Sequence, residues 1–146
     1  MGLFDKLTGG NSDAPLNKQE GFAAIMLAVV AADGDISDEE SEDFVARLNR
    51  MRLFTDGSGD QTRSVIEKVF RIKSRGGVEA LVEKGAPALT PELRETAFAV
   101  AVDMAFADGS IEPAEEKMLE KLQAALGIPD DMASAVVDVM VIKNRG

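Results

Sequence analysis

The sequence predicts an all-α protein of about seven helices, arranged as two pseudo-symmetric helical halves packed into one bundle. Three observations carry that expectation. Apolar residues recur at helical spacing, and no stretch alternates with the period of two that marks a strand. Helix start and stop signals punctuate the chain along its length. One motif also occurs twice, as AADGDISDEE at Ala31–Glu40 and as FADGSIEPAEE at Phe106–Glu116. A single offset of seventy-five residues sets Asp33 on Asp108, Gly34 on Gly109, Ile36 on Ile111 and Glu40 on Glu115 without a gap.

Residues 1–15 read as a flexible or docking segment, and residues 16–146 as one all-α domain. Leu3, Phe4 and Leu7 form an apolar trio before TGGNSDAP, whose Gly, Ser, Asp and Pro favour loop. Lys6 stands where a myristoylation signal wants Ser or Thr, and one amphipathic turn buries too little to hold a membrane.

Asn17 and Glu20 have the spacing of a capping box, opening a helix to about Ala32 that is apolar nearly all round through Phe22, Ile25, Met26, Leu27, Val29 and Val30. Such a helix belongs in the middle of a bundle. Asp33-Gly34 ends it. Ser37 and Glu40 form a second box, starting a helix to about Met51 with Phe44, Val45, Leu48 and Met51 inward. Arg52–Asp60 reads as the closing loop. Ser58 or Asp60 can cap a third helix to about Ser74, with Val65, Ile66, Val69 and Phe70 inward; Arg75-Gly76-Gly77 breaks it, and a short helix follows over Val78–Lys84.

Thr90 with Pro91 is a helix start of cap and first-turn proline, and the helix runs to about Ala107. Asp108-Gly109 stops it as Asp33-Gly34 stops the first. Glu112-Pro113 starts the next, to about Leu126 with Met118, Leu119 and Leu122 inside, and Gly127 terminates it. Pro129 opens a last helix to about Lys143. Three helices in front and three behind are thus related by the repeat, with the short one as bridge. Neither half can bury an apolar helix alone, so the two apolar helices are expected at the centre.

Composition narrows the chemistry. With 16 Lys and Arg against 26 Asp and Glu, the net charge is −10, which disfavours nucleic acid and anionic lipid as partners. The chain has no Cys and no His, which removes thiolate chemistry and the commonest general base. A bound metal must then be held by oxygen, which favours Ca²⁺ or Mg²⁺ and allows Mn²⁺. A hydrolase using carboxylates or metal-bound water is disfavoured because no nucleophile–base pair is readable. The longest apolar run, Phe22–Ala32, is too short to span a bilayer, and Met1–Leu7 has no long apolar core. A non-enzymatic, cytoplasmic protein is expected.

Helix-hairpin geometry accounts for the repeated glycines, isoleucines and capping glutamates with no function implied. It leaves a surplus of carboxylates at the loops: Asp33, Asp35, Asp38 and Glu39 in the first, Asp108, Glu112 and Glu116 in the second. Asp103 adds to them from mid-helix between Val102 and Met104, where a carboxylate calls for a partner or a raised pKa. The candidate oxygen ligands are Asp33, Asp35, Glu40, Asp103, Asp108, Glu112 and Glu115. The spacing is not that of an EF-hand, whose glycine comes sixth in a twelve-residue loop. Without a metal, the same acidic face would dock a basic partner protein.

The doubled ADGxIxxxE pattern, each copy following an apolar helix and the second leading into LxxLQAALGI, resembles the TerB (tellurite-resistance) family over about residues 16–146. The resemblance implies an all-α, pseudo-symmetric fold with an acidic face that binds divalent metal. It also implies a place in bacterial chemical-stress systems, beside membrane-bound and calcium-binding protein partners and hence peripheral to the inner membrane face. The positions matching the family motif are Asp33, Gly34, Glu40, Asp108, Gly109 and Glu115. Asp35 has only Ser110 as counterpart, and Glu112 and Pro113 replace Ser37 and Asp38, which argues against a strictly twofold site.

Overall fold

A computed structural model describes residues 15–32, 34–55, 59–107, 109 and 111–145, with residues 59 and 60 described by their backbone alone. The N-terminal apolar trio, Ser58 as a cap, Asp33 and Asp108 lie outside the described residues, as does the side chain of Asp60. Among those described, the chain forms seven α-helices and no strand: α1 (Lys18–Val30), α2 (Asp38–Arg50), α3 (Arg52–Thr55), α4 (Gly59–Gly85), α5 (Pro91–Phe106), α6 (Pro113–Leu126) and α7 (Asp130–Lys143). A 3-10 turn, Ala86–Ala88, joins α4 to α5.

The starts of these helices follow the local chemistry. The Asn17 side chain accepts from Glu20 N–H (2.8 Å) while Glu20 accepts from Asn17 N–H (2.9 Å), which closes the capping box of α1. Ser37 and Glu40 repeat it at α2, at 3.1 and 2.9 Å. Thr90 accepts from Leu93 N–H and Pro91 opens α5. Each box satisfies donors that the first turn leaves without a partner in the helix.

Helix α1 is the hub. Residues Gly21 to Val29 are all buried, and the helix packs against α4, α5, α2 and α6. Its sequence has no polar face to turn to water, so burial on every side is the only arrangement that satisfies it. Gly21 makes one of these contacts possible. A Cβ there would stand 2.8 Å from the carbonyl oxygen of Gly85, so α1 and the end of α4 meet backbone to backbone.

Two segments differ from the sequence reading. Arg52–Thr55 is helical rather than loop, because Phe54 is buried and draws one turn of chain onto the core. Around Gly77 the break falls where expected, but the helices on either side abut as one span with a kink at that residue, whose φ of 71° and ψ of −168° suit glycine.

The repeat orders the packing. Helix α1 packs on α2 and α4, α5 packs on α6 and α7, and α1 against α5 joins the two sets. The second set is less completely covered. Val100, Met104 and Phe106 of α5 are only half-buried, and α7 buries Ala133 alone.

Candidate functional site

The described residues of the two hairpins share matching hydrogen bonds. Gly34 N–H donates to Ala31 C=O at 3.0 Å, and seventy-five residues later Gly109 N–H donates to Phe106 C=O at 3.0 Å. Both glycines have positive φ, 125° and 94°, with open space where a Cβ would stand. Ser37 N–H donates to Glu40 Oε1 and Glu112 N–H donates to Glu115 Oε1, each at 2.9 Å. Ile36 and Ile111 are half-buried at matching places. The described residues on the two sides thus match, and in the sequence each glycine follows an aspartate.

These bonds sort the candidate ligands. Glu40 and Glu115 each commit one carboxylate oxygen to a helix start, which leaves the other for a second task. Asp35 and Glu112 are exposed. Asp33 and Asp108 lie outside the described residues. Among the described residues, no three carboxylates gather closely enough to hold one metal ion.

Asp103 stands apart. Its side chain is 17% exposed and faces protein groups that meet its charge. Asn144 Nδ2–H donates to Oδ1 at 2.9 Å, Lys143 Nζ donates to the same oxygen at 3.1 Å, and the Arg47 guanidinium lies 3.7 Å from Oδ2. Burial pushes the Asp103 carboxyl up, but the bonds from Asn144 and Lys143, with the charges of Lys143 and Arg47, outweigh it and hold the group below the ordinary carboxylate range. The partner that the sequence demanded for this carboxylate is therefore protein. It ties α5 to α2 and to the end of α7. No local pattern announces this, because Arg47 and the pair Lys143-Asn144 are distant in the chain on either side.

A second feature was not read from the sequence. An open groove of ≈ 390 Å³ runs between α5, α6 and α7. Phe98, Val102 and Phe106 of α5, Ile111 of the second hairpin, and Leu119 of α6 give it an apolar floor, while Glu116, Glu120 and Asp130 stand on its rim. Its only sequence signal is that the apolar faces of α5 and α7 exceed what their neighbours cover.

A small acidic domain built on a twice-repeated helix hairpin, with its carboxylates at the loops, is the class that fold and site define. A family model described as tellurite resistance protein TerB matches residues 19–136, and the chain belongs to that family. Comparison with curated proteins and comparison with solved structures each return no match. Among the described residues, no helix is long and apolar enough to cross a membrane.

Proposed function

We propose that this TerB-family protein serves tellurite resistance and related chemical stress without catalysing a reaction, by binding a divalent cation at its acidic hairpins. The observation that supports the reading is the duplicated turn, which presents carboxylates beyond those its caps use. The donor set is all oxygen, as Ca²⁺ or Mg²⁺ requires, with Mn²⁺ also compatible. Asp33, Asp35 and the second oxygen of Glu40 would serve the first hairpin, and Asp108, Glu112 and the second oxygen of Glu115 the second. Asp103 is left out of this ligand set, since three protein groups already occupy its oxygens. With neither His nor Cys in the chain, any effect on tellurite is indirect, through protein partners of the same stress system at the cytoplasmic side of a membrane.

Calorimetric titration with CaCl₂ and with MgCl₂, followed by amide NMR, tests the reading. Binding in the range of about 10⁻⁴–10⁻³ M is expected, as for open calcium sites of modest charge. The moving amides should centre on Gly34 and Gly109, and Asp35→Asn with Glu112→Gln should weaken the response. Amides that stay in place at millimolar metal would remove the ligand role.

A further inference from the structure

The two halves close the seam behind their hairpins differently, and the difference defines a surface. In the first half Phe44 is buried and its ring meets Phe70 edge to face, centroids 6.0 Å apart. Beside it Leu48 is buried and Val45 half-buried. The seventy-five-residue offset puts Leu119 in the place of Phe44, Glu120 in that of Val45 and Gln123 in that of Leu48. Opposite them α7 contributes Ala133, Ser134 and Val137. Where one half seals its seam with a pair of aromatic rings, the other half has no aromatic on either α6 or α7, and the ≈ 390 Å³ groove remains. That is in the range of pockets that take a ligand, and it suits one or two large apolar side chains.

The rim decides what carries those side chains. Three carboxylates border the groove, and no Lys or Arg lies among its lining residues. Asp130 is fixed there, because Gln123 Nε2–H donates to its Oδ1 at 2.7 Å and to the Ile128 carbonyl at 3.1 Å. A segment of this chain is a poor match, since Met1–Ala14 offers Lys6 against Asp5 and Asp13. We infer that the α5–α6–α7 groove is a docking site for a basic amphipathic helix of a partner protein, its aromatic or leucine anchors filling the apolar floor and its Lys or Arg residues facing Glu116, Glu120 and Asp130. This is the helix-in-groove mode of recognition, with rim charge adding rate and selectivity. It does not depend on metal at the hairpins.

The test uses the full chain and a short lysine-rich synthetic peptide with Phe and Leu at i, i+3, i+4 and i+7, alongside a scrambled peptide of the same composition. Binding is followed by fluorescence anisotropy and amide NMR in EDTA, so that failure of the metal reading leaves the result unaffected. The patterned peptide should bind and shift amides around Phe98, Leu119 and Val137, and the scrambled one should bind at least about tenfold more weakly. Glu116→Gln with Glu120→Gln, both at exposed positions, should weaken binding by about fivefold, as two rim pairs predict. Ser134→Trp, from an exposed position on the groove, should abolish it while circular dichroism stays unchanged. Equal binding of the two peptides, no binding, or binding unaffected by Ser134→Trp overturns the proposal. So does movement of groove amides in the peptide-free L3A/F4A/L7A variant, which would make the chain's own N-terminal segment the occupant.

Discussion

Asp103 offers the sharpest test of how this bundle is held together. Replacing it with alanine removes an acceptor of two hydrogen bonds and a negative charge that faces Arg47 and Lys143. A hydrogen bond to a charged group contributes about 1.5–3 kcal/mol, and the Asn144 bond, part-buried, belongs near the lower figure. Lys143 is 58% exposed and Arg47 32%, so both regain water when Asp103 is lost, and each pair is limited to about 0–1 kcal/mol. The expected cost of Asp103→Ala is therefore about 2 kcal/mol, well short of the 3–5 kcal/mol for breaking a fully buried pair. That corresponds to a fall in Tm of about 4–8 °C.

The sign of the pH dependence follows from the lowered carboxyl. A group whose folded pKa lies below its unfolded one stabilises fully above the unfolded value, near pH 4, and loses that contribution as pH falls through the folded value. The deficit of the variant should thus be constant from neutral pH down to about pH 5 and shrink below it. Urea denaturation across that range, with Lys143→Ala alongside, checks both points. A Tm within about a degree of the parent, or a Lys143→Ala cost equal to that of Asp103→Ala, would refute this account, because the Asn144 bond would then carry nothing.

Two further substitutions isolate backbone effects. Gly21→Ala puts a methyl 2.8 Å from the Gly85 carbonyl oxygen and 2.7 Å from Ala88 Cβ, and it should destabilise by about 1–3 kcal/mol in chemical denaturation although alanine favours helix. Among the described residues Gly34→Ala meets no atom within 4 Å, but it must hold φ at 125°, so a cost of about 1–3 kcal/mol there reads conformation; an unchanged midpoint would mean that the hairpin relaxes without penalty.

What could be read from the sequence was local. The capping boxes at Asn17 and Ser37, the Thr90-Pro91 start and the stop at Gly127 each depend on residues within a few positions, and the structure has them where the pattern puts them. The helices before Gly34 and Gly109 end sooner than expected, at Val30 and Phe106, with Ala31 and Ala107 as their caps. The all-α class and the central place of Phe22–Val29 follow from a helix with no polar face. Phe54 shows the limit of such reading, because a four-residue helix has too few turns to display a period. Gly21 and Gly85 show another. Each looks unremarkable in its own segment, and only their meeting explains why neither carries a side chain. The candidate site divides in the same way. Capping roles for Glu40 and Glu115 were legible, whereas the partners of Asp103 come from forty or more residues away in each direction, beyond any local pattern.

The unequal finish of the two halves bears on how a duplicated fold gains function. A symmetric bundle would need its second seam sealed as the first is, by apolar side chains at the positions of Leu119, Glu120 and Gln123. Instead, one position keeps an apolar residue of smaller reach and the other two are polar. Helix α6 turns Met118, Leu122 and Leu126 into the core, the first two one position before Leu119 and Gln123, and the groove stays open beside the second hairpin, whose Ile111 lines it. Core positions filled below what the scaffold can hold cost stability, typically by the transfer energy of the missing atoms plus a cavity term, so a folded domain that retains them has its remaining contacts to spare. Here those contacts are concentrated on α1, which is enclosed on all sides, and on the Asp103 cluster, which fixes α7 to α5 at the C-terminal end of both helices. With α7 held there, the groove between it and α6 can stay open without the helix swinging in to close it. Loosening that anchor should let α7 settle toward α6, so Asp103→Ala is expected to weaken peptide binding at the groove even though Asp103 is not among the groove's lining residues.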